Sequence, residues 1–203
     1  MSIARRFVKP ALLGLALAGL VATGPRAFAQ ETVTLAQPAA VADGDLQPGL
    51  AALYFYEDFR DIDKMPTKPE ALAKGVKGEK PILKVEGKSR EGELFNSGSN
   101  SLYGIHMTGF IKFDKPGEWV MGAISNDGVR VKVADQVVAD DPTVHADRPT
   151  QPVVVKVPAA GWYPLQIQYF QRKYTAQLQL LWQTPDGAAM AVVPGEALAH
   201  KKS

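Results

Sequence analysis

The sequence predicts one antiparallel β domain, a sandwich or a barrel. From Tyr103 onward, apolar and polar residues alternate with a period of two, the spacing of a half-buried strand. The alternating runs are short, and Gly, Pro, Asp and Asn separate them, as turn chemistry requires. No internal repeat or heptad pattern interrupts this order.

Residues 1–29 read as a secretory signal peptide. Arg5, Arg6 and Lys9 precede an apolar run from Ala11 to Ala22, and Ala27-Phe28-Ala29 fits a small-x-small cleavage site. The apolar stretch is too short to span a bilayer as a helix. Cleavage after Ala29 by the general secretory route makes the product periplasmic or secreted. Residues 30–48, rich in Ala, Gln, Asp and Pro, read as a flexible linker.

The globular part, residues 49–198, begins with a strand over Leu50–Tyr56. Residues 57–101 carry prolines, glycines and charges that break up long elements; a short helix near Pro69–Lys74 and a short strand at Ile82–Val85 are expected. Strands follow over Tyr103–Phe113, Trp119–Ile124, Val129–Val133, Gln136–Ala139, Val153–Val157, Tyr163–Phe170 and Ala176–Trp182, each bounded by turn residues. Residues 199–203 read as a tail. Val129, Val131, Leu178, Leu180 and Trp182 share the phase of a buried face.

Charge and cysteine usage exclude several classes. Of 23 bases and 21 acids, four bases and no acids lie in residues 1–29. The remainder carries 19 bases against 21 acids, so a formal charge of +2 becomes −2 and nucleic acid gains no support as a partner. Without cysteine there are no disulfides, no acylated lipobox, no thiolate metal site and no cysteine nucleophile. His106, His145 and His200 form no metal-ligand spacing with one another. Gly-x-Ser-x-Gly, His-Glu-x-x-His and phosphate-cradling glycine patterns are missing, so the sequence points away from an enzyme.

The most informative run is Ser125-Asn126-Asp127-Gly128-Val129-Arg130-Val131-Lys132-Val133. An Asn-Asp-Gly turn feeds a half-buried strand, with Gly128 expected at positive φ. This places the Asn126 and Asp127 side-chain oxygens at a strand mouth with nothing bulky around them. The plainer reading is a hairpin turn that binds nothing. Asp140-Asp141-Pro142 offers two further carboxylates, read as a solvated turn. Of the aromatics, Tyr174 stands at a loop tip beside Arg172 and Lys173, with no periodicity to bury it. It is the candidate platform for stacking against a sugar face.

These pieces resemble, in order, the PA14 domain, a family named after anthrax protective antigen. The matching segments are Gly49–Tyr56, Tyr103–Ile111, Pro116–Trp119 leading into Ser125–Arg130, Ala160–Leu165 with Tyr169-Phe170, and Ala176–Trp182. The resemblance implies an antiparallel β-sandwich of jelly-roll character and a role in carbohydrate binding. In sugar-binding members paired aspartates, joined by a cis peptide, hold a calcium ion that sugar hydroxyls complete. The matching positions are Asn126 and Asp127, ahead of Gly128. Calcium takes six to eight oxygen ligands, so an amide in place of a carboxylate weakens the site.

A second loop supplies an asparagine ligand in adhesins. Here it is Gln171-Arg172-Lys173-Tyr174, and its two cations oppose calcium. The expectation is an exported, non-catalytic domain binding a cell-envelope or extracellular glycan through Asn126, Asp127, Gly128, Arg172, Lys173 and Tyr174, with calcium possible at Asn126 and Asp127. The rival reading is an interaction or structural module for another envelope protein, needing neither sugar nor ion.

Overall fold

Alternation becomes sheet almost wherever the sequence carries it. The computed structural model describes Met1, residues 30–187 and residues 189–202; apart from Met1, the expected signal peptide lies outside them. In chain order the strands are β1 (Thr32–Thr34), β2 (Leu46–Pro48), β3 (Ala51–Phe55), β4 (Val76–Lys77), β5 (Glu86–Ser89), β6 (Tyr103–Phe113), β7 (Gly117–Asn126) and β8 (Val129–Val133). They continue with β9 (Gln136–Asp141), β10 (Arg148–Pro149), β11 (Val153–Val157), β12 (Gly161–Gln171), β13 (Ala176–Gln183), β14 (Ala191–Val192) and β15 (Leu198–Lys201). One helical turn, α1, spans Pro69–Leu72, with Pro69 at its start where a missing N–H costs nothing.

Two sheets stack as an all-β, jelly-roll-like sandwich. A seven-stranded sheet runs β1-β11-β7-β13-β14, with β10 also on β7 and β5 on β13. An eight-stranded sheet runs β2-β15-β6-β12-β8-β9, with β3 on β6 and β4 on β3. Every pairing is antiparallel except β1 on β11.

The core lies between the sheets, where Met121, Ala123, Val155, Leu178 and Leu180 of one face Ile105, Met107, Val129, Val131, Leu165 and Ile167 of the other. At one end Phe113 packs edge-on against Trp119 and Tyr163, with ring centroids 4.9 and 5.4 Å apart, the arrangement favoured by the ring quadrupoles. Trp182 stacks at 4.8 Å on Trp119 but is only partly buried, because it lies near the end of its strand.

A smaller cluster on the outer face of the eight-stranded sheet explains the irregular segment after β3. Phe55, Phe59, Ile62, Met65 and Phe170 are buried together, with Leu53 and Leu72 against them. The sequence hid this because those apolar residues follow neither a strand nor a helix period.

Other expectations are corrected. Residues 30–48 carry β1 and β2: Val33 packs against the core, and Leu35 donates its N–H to Lys156 O at 3.0 Å. The strand expected at Ile82–Val85 is reduced to a bridge between Ile82 and Leu50, and the strand falls on Glu86–Ser89. The expected tail is β15, which pairs with β2 and β6. In each case a neighbouring edge supplies hydrogen-bond partners that local sequence cannot announce. His106 is buried on β6, and burial lowers its pKa by disfavouring the charged form.

Candidate functional site

The Asn126–Gly128 run does not close a hairpin. β7 belongs to the seven-stranded sheet and β8 to the eight-stranded one, so the chain crosses between layers at Asp127 and Gly128. The crossing is tied to β12: Asp127 N–H donates to Phe170 O at 3.2 Å, and Phe170 N–H donates to Gly128 O at 3.1 Å. Tyr169 reaches from the eight-stranded sheet to donate its hydroxyl to Asn126 O at 2.6 Å. Burial raises the Tyr169 phenol pKa, so it stays a donor. The Asn126–Asp127 peptide bond is cis.

Gly128 is required for space and not for its dihedral. Its φ is not among the positive ones; a Cβ there would overlap the Phe170 ring and lie 2.9 Å from Pro142 O.

Asn126 and Asp127 are nearly fully buried, 7% and 4% exposed, against the expectation of an open mouth. Each Asp127 oxygen accepts a backbone N–H: Oδ1 from His145 at 3.2 Å and Oδ2 from Arg172 at 2.8 Å. Burial nevertheless raises the Asp127 pKa, the two N–H donors opposing it. The Asn126 amide nitrogen donates to Asp147 Oδ1 at 2.8 Å and to Thr175 Oγ1 at 3.1 Å. An ionised carboxylate only accepts, so the Asp147 contact fixes which way the amide faces. Asp147 also pairs with Lys88 Nζ at 2.9 Å. The Lys88 hydrogen bond, followed by that from Asn126, lowers its pKa.

The second loop arrives at the same place. Asn126, Asp127, Val144, His145, Arg172, Lys173, Tyr174 and Thr175 line one cleft of about 280 Å³. Tyr174 is 83% exposed. The Arg172 backbone N–H binds Asp127, while its guanidinium pairs with Asp58 at 2.8 Å. Of the two loop cations expected to repel calcium, one is thus neutralised.

Asp140 and Asp141 belong to strand β9, not to a solvated turn, and pair with Arg130 and Arg148. Asp147, Thr175 and the His145 N–H were missed: Asp147 and Thr175 are 21 and 49 residues from Asn126, and a backbone donor leaves no mark in a sequence.

This donor set offers calcium few oxygens. Asp127 is the one carboxylate of this set without a cationic partner, and each of its oxygens accepts one N–H and keeps a second acceptor site. The Asn126 amide presents nitrogen to its polar neighbours, and Asp147 is matched by Lys88. Among the described residues, no group of three or more His, Cys, Asp or Glu could hold a metal ion. The arrangement suits a hydroxyl-bearing ligand that hydrogen-bonds at the cleft and stacks on an exposed ring.

Comparison with known proteins bears on the fold. Among curated proteins none matches this chain. Among solved structures, the A domain of epithelial adhesin 9 from Candida glabrata, in complex with Galb1-4GlcNAc, is similar with a TM-score of 0.63 at 11% identity, covering 83% of this chain and 96% of that one. A PA14 sugar-binding domain from an RTX adhesin gives 0.57 at 16% identity, covering 75% and 98%. An anti-sigma factor domain-containing protein gives 0.60 at 16% identity over 75% of this chain, which spans 48% of that longer protein. The family description PA14 domain matches residues 47–196. With this match over most of its length, and the two-sheet sandwich to support it, the chain belongs to the PA14 domain family.

Proposed function

We propose that the protein is an exported, non-catalytic carbohydrate-binding domain. It recognises a cell-envelope or extracellular glycan through the Asn126–Gly128 and Arg172–Tyr174 loops, without calcium. The observation that carries this reading is the Asp127 carboxylate, clamped by the backbone N–H groups of His145 and Arg172 in a cleft walled by the exposed Tyr174. A fixed carboxylate accepts hydrogen bonds from sugar hydroxyls, and a ring beside it takes the apolar face of the sugar. The similar sugar-binding adhesin domains support the reading.

The test is a glycan array followed by calorimetry, run with calcium and again with chelator. Wild-type binding is expected to be equal in both, and Asp127→Ala is expected to abolish it while leaving the fold intact. Asn126→Asp should introduce a calcium requirement by setting a second carboxylate against Asp147. If Asp127→Ala binds glycan as well as wild type, the crossing serves only the fold.

A further inference from the structure

The outer face of the eight-stranded sheet carries a larger depression that the loop cleft does not explain. Ala51 on β3 and Thr108 on β6 have small side chains, so the sheet surface between β3 and β15 lies low. The segment Lys77–Pro81 walls it on one side and His200 and Lys201 on the other, giving a trough of about 610 Å³. That volume is typical of small-molecule sites. It shares no residue with the cleft at Asp127. On the other side of Lys77–Lys80 lies a second cleft of about 420 Å³, reaching Tyr56 and Asn96.

The His200 ring in one wall is held in place. His200 Nδ1 lies 2.8 Å from Gly49 O, and its Nε2 lies 2.8 Å from the Gln47 amide nitrogen. A carbonyl only accepts, so Nδ1 carries the proton and Nε2 accepts from the amide. Both ring nitrogens are thus held by neighbours. The walls carry cations: Lys77, Lys80 and Lys201 line the trough and, among the described residues, enter no ion pair. Glu79 is the one acid along the trough.

Flat surfaces lie beside these charges. Phe110 is half-buried in the trough, and Tyr56 is 51% exposed, its ring held by a 2.8 Å hydrogen bond from its hydroxyl to Ser97 O. An anchored, exposed ring next to unmatched lysines suits a ligand that is both ring-shaped and anionic.

We infer that this face is a second ligand site, for an acidic oligosaccharide whose carboxylate or sulfate groups seat among Lys77, Lys80 and Lys201 while a sugar ring rests on Phe110 or Tyr56. Because it shares nothing with the loop cleft, it stands or falls separately from the reading above.

The experiment is an NMR titration of amide shifts with hexagalacturonate and a heparin hexasaccharide, with maltohexaose as the neutral control and a poly-glutamate peptide as the non-sugar anion. At least one acidic sugar is expected to shift Gly78, Lys80 and Lys201, more weakly as salt is raised, while maltohexaose leaves them unmoved. The double substitution Lys77→Gln with Lys80→Gln should weaken that binding by about tenfold or more, the loss expected when hydrogen bonds between charged groups are removed. Asp127→Ala should leave it unchanged. The inference is overturned if neither acidic sugar moves these amides, if maltohexaose or poly-glutamate binds equally well, or if Asp127→Ala removes the response.

Discussion

Asp127 and Asp147 share the neighbourhood of Asn126, yet their carboxyls are pushed in opposite directions. Burial raises Asp127, so the folded state holds that proton more tightly than the unfolded chain does. The stability it contributes is fully present below the ordinary Asp value of 3.8 and is lost as pH rises through its raised value. Lys88 and Asn126 lower Asp147, so its contribution is present above 3.8 and is lost as pH falls through its lowered value. A carboxyl-carbon NMR titration should therefore show Asp147 ionising first as pH rises and Asp127 after it; the reverse order would overturn this account of the site. Gly128→Ala belongs to the same scale. The added methyl meets Phe170 and Pro142 O, so a loss of about 1–3 kcal/mol is expected from overpacking. Urea unfolding at wild-type stability would show that the ring and the crossing can shift freely.

At the scale of the element, β7, β12 and β13 place the loops. Asn126 pairs with Gln177 on β13, and Tyr169 lies opposite Val129 of β8. The ends of both sheets thus meet where the cleft opens, and rigid strands beneath mobile-length loops are a common way to position a site. The phase of β13 was legible: Leu178 and Leu180 are each 1% exposed, as their alternation requires. Leu180→Ala should cost about 2–5 kcal/mol by leaving a cavity between the sheets. Equilibrium denaturation giving a loss below about 0.5 kcal/mol would place Leu180 outside the packed layer. Strands such as β1 and β15 were not legible, since three or four residues carry too little alternation to stand out.

At the scale of the molecule, the export reading makes its own prediction. The secreted chain is expected to start at Gln30, two residues before β1 begins to pair with β11. An intact mass of the exported protein that retains residues 1–29 would remove that assignment.

The alternation after Tyr103 determined by itself that this chain is one antiparallel β domain, because a period of two can bury one face of a strand and little else. The order of its motifs matches the family, and the two loops, at Asn126 and at Arg172, are both legible in the sequence. Only the tertiary structure decided that Asn126–Gly128 crosses between sheets, that Gly128 is there to make room for Phe170, and that Asp147 takes the Asn126 amide while Asp58 draws away the Arg172 charge. Those are contacts across 21 to 114 residues of chain. Local sequence sets which face of a strand is apolar, but long-range contacts such as these exist only once two sheets are stacked.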